Sequence, residues 1–300
     1  MTDLSSTSPP NTTLPEEVRA LATDADHQLA AELAARSAEL LRALRESGID
    51  DPDVLREQGD RRSHELLVTE LAARRPADAV LSEEGKEEPA PARLGARRVW
   101  IVDPLDGTRE FGDPGRPDWA VHVALVIDGF PVAGAVALPA LNEVWSTATA
   151  PGRDRPAAAG GTGSTGSGRT GPPRLAVSRT RPGWSASLVE QALAAELVPL
   201  GSAGFKALAV VRGAADIYAH SGGQYEWDSA APVAVALAYG LHASRLDGTA
   251  LAYNNPSPYL PDLLIAHPDW AGAALRAVAD STNLPPDPTR PAGIRTAQRT

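Results

Sequence analysis

The chain has 300 residues, 43% of them apolar and 22% charged, enough for one large domain or two medium ones around a sizeable core. Its 28 Lys and Arg against 38 Asp and Glu leave a formal charge of −10, a poor balance for binding a nucleic-acid polymer. There is no cysteine, which excludes disulfides, thiol nucleophiles and Cys-based zinc sites.

Residues 1–15 are polar, rich in Ser, Thr and Pro, and are expected to be flexible. They contain no apolar signal core, and no run in the chain approaches the ~18 apolar residues of a membrane helix, so a cytoplasmic protein without a membrane partner is expected. Residues 16–47 are Ala- and Leu-rich. Leu29, Leu33, Leu40 and Leu44 recur at helical spacing, with Gly48 as a stop. A second helix is expected over 63–75, with Asp60 just before it. Short apolar runs at 79–81 and 99–102 read as strands. The stretch 119–147 reads as antiparallel sheet, because Val121, Val123, Leu125 and Ile127 alternate and Asp128-Gly129 is a hairpin turn signal. The Gly- and Ser-rich insert at 151–173 cannot bury a core and is expected to be a flexible linker.

Beyond the insert, strand and helix signals alternate: strands at 175–177, 198–200 and 215–218, and helices at 185–196, 205–212 and 228–239, the last ended by Gly240. A final helix is expected over 267–281, then a Pro-containing flexible tail at 282–300. This predicts an N-terminal α+β subdomain over 16–150 and a C-terminal α/β subdomain over 174–281.

The most informative segment is Val99-Trp100-Ile101-Val102-Asp103-Pro104-Leu105-Asp106-Gly107-Thr108. An apolar strand ends in two carboxylates three positions apart. Asp-Pro turns the chain out of the strand and Gly107 permits a tight turn, so the two acids can converge. Thr108 and the amides of a following helix start could face an anion there. Alone, such a segment is most often a solvated acidic turn, but here a buried strand leads into it. Glu83-Glu84 follows the strand at 79–81, with Glu87 and Glu88 beyond. Asp228 opens an apolar helix after Glu226-Trp227. Taken singly, Asp60 and Asp228 read as helix-start residues. Taken together, acids spread over strand ends and helix starts are what a hard cation such as Mg²⁺ requires. A second Asp-Gly-Thr at Asp247-Gly248-Thr249 reads as a hairpin turn between 242–246 and 251–253. The six histidines form no metal-spaced pair, and no nucleophile-elbow serine occurs.

In order and spacing, Asp60, Glu83-Glu84, Asp103 to Thr108 and Trp227-Asp228 resemble the signature of the lithium-sensitive, Mg²⁺-dependent phosphatase superfamily. That superfamily includes inositol monophosphatases, fructose-1,6-bisphosphatases and 3′(2′),5′-bisphosphate nucleotidases. The resemblance covers roughly 16–281. Asp103 to Phe111, Gly201 to Lys206, Gly223 to Pro232, Leu246 to Thr249 and Tyr253-Asn254 look most like the CysQ-type bisphosphate nucleotidases.

The resemblance implies a layered αβαβα sandwich of the inositol monophosphatase kind, of mixed α+β and α/β character, and two or three Mg²⁺ per site. Glu83, Asp103 and the Leu105 carbonyl would hold one ion. Asp103, Asp106 and Asp228 would hold a second. Asp60, Glu84 and Thr108 would serve catalysis by orienting water and taking its proton. Gly107, Thr108, Ser178, Arg179, Ser202, Lys206 and Glu226 would touch the substrate. That substrate would be a small phosphorylated nucleotide, 3′-phosphoadenosine 5′-phosphate, converted to AMP. Its sulfated analogue, inositol phosphates and sugar phosphates are alternatives, and many relatives are homodimers.

Two departures stand out. Relatives carry Thr-x-x-Asp where this chain has Glu57-Gln58-Gly59-Asp60. Inositol monophosphatases place a glutamate where this chain reads Tyr218 to Gly222, which argues against inositol as the best substrate unless Glu226 substitutes. A haloacid-dehalogenase-like site is rejected, because two residues separate the aspartates. A non-catalytic phosphate or nucleotide sensor would predict lost acids, and the acids are kept.

Overall fold

The computed structural model describes residues 12–85, 90–151 and 171–280. Most of the expected tails and of the 151–173 insert, along with Glu87 and Glu88, lies outside the described residues.

In chain order the elements are α1 (Glu16–Arg19), α2 (Asp24–Arg45), α3 (Pro52–Arg74), β1 (Ala79–Ser82), α4 (Ala90–Leu94), β2 (Arg98–Asp106), α5 (Thr108–Phe111), β3 (Ala120–Ile127), β4 (Phe130–Leu138) and β5 (Glu143–Ser146). Then come β6 (Arg174–Ser178), α6 (Trp184–Leu193), β7 (Glu196–Leu200), α7 (Ala203–Val211), β8 (Ile217–Tyr225), α8 (Glu226–Ala238), β9 (His242–Ser244), β10 (Tyr259–Ala266) and α9 (Pro268–Ala279).

The first sheet runs β1-β2-β3-β4-β5 and is antiparallel except for the parallel β1–β2 pair. The second runs β7-β6-β8-β10-β9. Its β7, β6 and β8 are parallel, and β10 pairs antiparallel with both β8 and β9. Both sheets are therefore mixed. Helices α2 and α3 cover one face of the first sheet, α7 and α8 lie between the sheets, and α6 and α9 cover the far face of the second. This is the expected αβαβα layering.

Side-chain alternation explains the layers. On β3, Val121, Val123, Leu125 and Ile127 join Leu29, Leu33, Leu67 and Leu71 in the outer core, while Ala120, Ala124 and Val126 face the central layer with Phe205, Leu208, Ala231 and Val235. Burial of each large side chain is worth about 1.5–3 kcal/mol, so both faces of this strand contribute to stability. Gly134 on β4 lets α8 come close: a Cβ there would lie 2.9 Å from that of Ala234. The small residues of α8 thus bring its N-terminus, and Asp228, down onto the first sheet.

Several sequence expectations need correction. The helix expected over 16–47 is two helices, because Thr23 caps α2 through a reciprocal pair with Asp26. Helix α3 starts at Pro52, capped by Asp51, so Asp60 sits mid-helix rather than ahead of it. Residues 251–253 form no strand. Asp247-Gly248 closes a tight turn (Arg245 N–H to Thr249 O, 2.9 Å), and the partner of β9 is β10, which the pattern reading did not find. Thr12, placed in the flexible N-terminal stretch, is buried: its amide donates to the Ala243 carbonyl (3.0 Å) and its hydroxyl accepts from Leu251 N–H (3.1 Å).

Candidate active site

A regular strand would put Asp103 and Asp106, three residues apart, on opposite faces. Pro104 has no N–H to give the ladder, and the β2–β3 register shifts between Asp103, opposite His122, and Asp106, opposite Ala120. Asp103 Oδ1 accepts the freed Leu105 N–H at 3.0 Å. The shift turns both carboxylates to the central layer, where α8 delivers Asp228. Carboxylate oxygens of Asp103, Asp106 and Asp228 come within 4.8 Å of one another, an acidic cluster that could hold a metal ion.

The three acids differ electrostatically. Burial pushes Asp103 well above the usual carboxylate range, and the charges of Glu83, Asp106 and Asp228 add to it. Its Oδ2 is buried without a hydrogen-bond donor among the described residues. Burial and then the Asp106 charge raise Asp228 to about 6, against the Tyr225 N–H it accepts at 2.6 Å. Burial would raise Asp106 as well, but His122, Ser202 and Lys206 outweigh it and bring the group down to about 2. Asp106 is seated on the start of α7: Oδ2 accepts from the Ser202 hydroxyl (2.5 Å) and Gly204 N–H (2.6 Å), and Oδ1 from Ala203 N–H (3.0 Å). Ser202 holds the positive φ of +48° that this tight helix entry needs.

Glu83 stands beside Asp103, outside the tight cluster. Loss of hydration at its carboxyl, then the Asp228 charge, raise it to about 7, even though the residue as a whole is exposed. Glu84 is also exposed, near enough for its charge to raise Asp60. From mid-helix, Asp60 reaches the Thr108 hydroxyl at 3.3 Å, and that hydroxyl is 3.1 Å from the Leu105 carbonyl. Gly59 makes the approach possible: a Cβ there would lie 2.8 Å from the Phe111 ring and 2.9 Å from Leu105 Cδ2. The contact forms with glutamate at 57.

A cavity of about 590 Å³ opens from this cluster, and its walls include Asp106, Gly107, Thr108, Ser178, Arg179, Ser202, Lys206 and Asp228. Lys206 is buried under it, its Nζ donating to the carbonyls of Ser202 (2.5 Å) and Gly201 (3.3 Å). Arg179 is held by Glu110 (2.7 Å), and the Ser178 hydroxyl accepts the Arg181 N–H (3.2 Å). Gly107 adopts φ +87°, which strains any side chain, and a Cβ there would lie tightly against Ser202 (3.1 Å) and Trp119 (3.3 Å). Glu226 does not face the cavity. Its fully buried carboxylate accepts Asn254 N–H (2.7 Å), Asn255 N–H (2.8 Å) and Asn255 Nδ2 (2.8 Å), so it ties down a loop and the expected substrate contact is not made.

Sequence reasoning passed over His122. It is fully buried, Nδ1 donates to the Trp227 carbonyl (2.9 Å), and Nε2 lies 3.2 Å from Asp106 Oδ2. Burial alone would lower its pKa, but Asp106 raises it on balance. The one signal was a histidine inside an otherwise apolar strand. Metal spacing could not find it, because its partners are 16 residues before and about a hundred after it.

The sequence profile of the inositol monophosphatase family matches residues 14–282. The chain belongs to the inositol monophosphatase family. It is similar, at 51% identity over 248 residues, to the 3′-phosphoadenosine 5′-phosphate phosphatase of Mycobacterium bovis, covering 81% of this chain and 88% of that protein. The protein of the same description from Mycobacterium leprae is 48% identical over 266 residues, 85% and 94% of the two chains. Among solved structures, CysQ from Bacteroides thetaiotaomicron superposes with a TM-score of 0.67 at 26% identity, covering 83% of this chain and 99% of that one. The membership makes this member of the inositol monophosphatase family an enzyme of the phosphatase class, as the resemblance implied.

Proposed function

We propose that the chain is a Mg²⁺-dependent phosphomonoesterase that removes the 3′-phosphate of 3′-phosphoadenosine 5′-phosphate, giving AMP and phosphate. The observation that carries the reading is the convergence of Asp103, Asp106 and Asp228, two of which line a cavity that also carries Arg109, Arg179, Arg181 and Lys206. The names of the mycobacterial relatives support the substrate.

The donor set fits a hard divalent cation. Every candidate ligand is an oxygen, Asp103 Oδ2 is buried without a donor among the described residues, and burial, with the neighbouring negative charges added to it, raises Asp103, Asp228 and Glu83, a cost that a bound cation relieves. Asp103, Asp106, Asp228, Glu83 and the Leu105 carbonyl would hold Mg²⁺. When bound, the cation acidifies water and neutralises charge on the departing oxygen.

The rest is done by the chain. The Thr108 hydroxyl has one proton and two acceptors in reach, Asp60 and the Leu105 carbonyl, so its lone pairs are left to accept from a water. Asp60, raised to about 7 by burial and the Glu84 charge, can take that water's proton near neutral pH. Gly107 and Thr108 line the cavity at the start of α5, and Lys206 beside them supplies positive charge. Ser202 acts through Asp106, which it orients. Lithium sensitivity, a cytoplasmic setting and a role in clearing sulfur-pathway nucleotides belong to the same reading. Among the described residues no helix is long and apolar enough to cross a membrane.

The test is phosphate release from 3′-phosphoadenosine 5′-phosphate and from inositol 1-phosphate at equal concentration, with Mg²⁺ and then with added Li⁺. A strong nucleotide preference, lost with Li⁺, is expected. Preference for inositol phosphate would overturn the substrate, and Mg²⁺-independent activity would overturn the metal.

A further inference from the structure

Gln224 lies one residue from the end of β8 and is only 7% exposed. Among the described residues, neither its Oε1 nor its Nε2 has a hydrogen-bond partner. A buried primary amide that leaves all of its donors and acceptors unused is uncommon and calls for a reason. Gln224 lines the cavity that also contains Asp106 and Asp228.

Its neighbour Tyr225 lines the same cavity and is 47% exposed. The ring is not loose: it stacks on Trp227 (centroids 4.8 Å apart, planes at 12°) and meets Tyr259 edge-on at 6.2 Å. The backbone is shaped to present this pair. Gly222 and Gly223 take φ of +99° and +89°, and the β8–β10 register shifts between Leu260 and Asp262. His220 Nε2 fixes the bend by donating to the Gly223 carbonyl at 3.1 Å. At φ +89° any side chain on Gly223 is strained, and its Cβ would also push the Tyr259 ring aside, so the bend favours glycine there.

We infer that Gln224 and Tyr225 form a base subsite, in which the Gln224 amide reads an adjacent donor and acceptor on the edge of a purine and Tyr225 supplies an aromatic surface beside it. The inference rests on the nucleotide reading above. Oε1 accepts from an exocyclic amino group such as that of adenine, and Nε2 donates to the neighbouring ring nitrogen. Both amide atoms are themselves buried, and because neither is hydrogen-bonded among the described residues, turning the amide into the cavity breaks no bond made there. A substrate lacking the amino group leaves the carbonyl oxygen unpaired, which is the stronger form of discrimination. An exposed, fixed aromatic ring adds a sequence-tolerant stacking surface.

The experiment compares kcat/KM for 3′-phosphoadenosine 5′-phosphate and for ribose 3,5-bisphosphate, which lacks the base, in the wild type and in Gln224→Leu. The expected loss in the variant is roughly 5- to 150-fold on the nucleotide, the worth of one bidentate amide contact, with the base-free substrate unchanged. The unchanged arm also reports that the variant folds. Equal loss on both substrates, or loss on neither, overturns the inference and leaves the nucleotide reading standing. A wild type that does not prefer the base-bearing substrate overturns the nucleotide reading and this inference with it. A second arm needs no variant: on the wild type, replacing adenine by purine without the 6-amino group is expected to cost a similar factor, and full activity would overturn the inference.

Discussion

The Thr108 hydroxyl lies 3.3 Å from the carboxylate of Asp60, a residue 48 positions earlier on a different element. The contact joins mid-helix α3 to the turn after β2, and it places a carboxyl with a pKa of about 7 next to a hydroxyl that can hold water. Function and stability pull against each other at this acid.

Asp60→Asn is therefore expected to do two opposite things. Loss of the proton acceptor should lower kcat by about 10²–10⁴-fold. The folded-state pKa of about 7 exceeds the unfolded value of 3.8, so the native state binds more protons between those limits and wild-type stability falls as pH rises through them. Denaturant midpoints of the metal-free proteins should show Asp60→Asn gaining on the wild type at pH 8 relative to pH 4. A variant that is equally active, or whose advantage is the same at both pH values, would contradict the assignment.

Asp106 accepts from Ser202, Ala203 and Gly204 in addition to its place in the acid cluster. In Asp106→Asn an amide nitrogen must face one of those donors. Turnover should fall by at least about 100-fold, the scale of a lost preorganised electrostatic contact. Stability should fall by about 1–3 kcal/mol as donors at the α7 entry lose their acceptor, measurable by urea titration. Near-normal turnover would show that Asp106 is a helix anchor alone.

Glu226 is predicted to matter for stability and not for catalysis. Its carboxylate holds Asn254 and Asn255 with no exposure to the cavity. Glu226→Gln should cost about 1–3 kcal/mol, because one carboxylate oxygen becomes a donor facing donors. KM for the substrate should stay at the wild-type value. A raised KM with unchanged stability would return Glu226 to the substrate site.

His242 is buried, its Nε2 is 2.8 Å from the Ser244 hydroxyl, and burial lowers its pKa to about 4. The unfolded chain, with a pKa near 6.5, takes up a proton first as pH falls. The stability contributed by neutral His242 is full above pH 6.5, drains away down to about pH 4, and amounts to roughly 3 kcal/mol. Urea midpoints of the metal-free protein at pH 7 and pH 4.5 should differ less in His242→Gln than in the wild type.

The acids at 83, 84, 103, 106 and 228 were readable as a set because each occurs where strand or helix signals start or stop, the places from which a hard-cation site draws ligands, whereas Asp60 was grouped with them on an expected helix start that the structure moves back to Pro52. Strands β2 and β3 were readable from apolar run and alternation. Strand β10 escaped detection: Pro261 and Asp262 interrupt its pattern, and its pairing partners are remote in sequence. The start of α3 was missed because its cap, Asp51, precedes a polar first turn in which apolar periodicity is weak.

Local sequence alone determined the periodicities, the turn chemistry around Pro104 and Gly107, and the inventory of acids, since these follow from side-chain type and short-range backbone sterics. Only the tertiary structure decided which groups meet: His122 against Asp106, Asp60 against Thr108, Glu226 turned inward to Asn254, and Gln224 in the cavity wall without a hydrogen-bond partner among the described residues. Those outcomes depend on sheet register, on the close approach allowed at Gly59 and Gly134, and on burial, which shifts each charge according to neighbours distant in the chain.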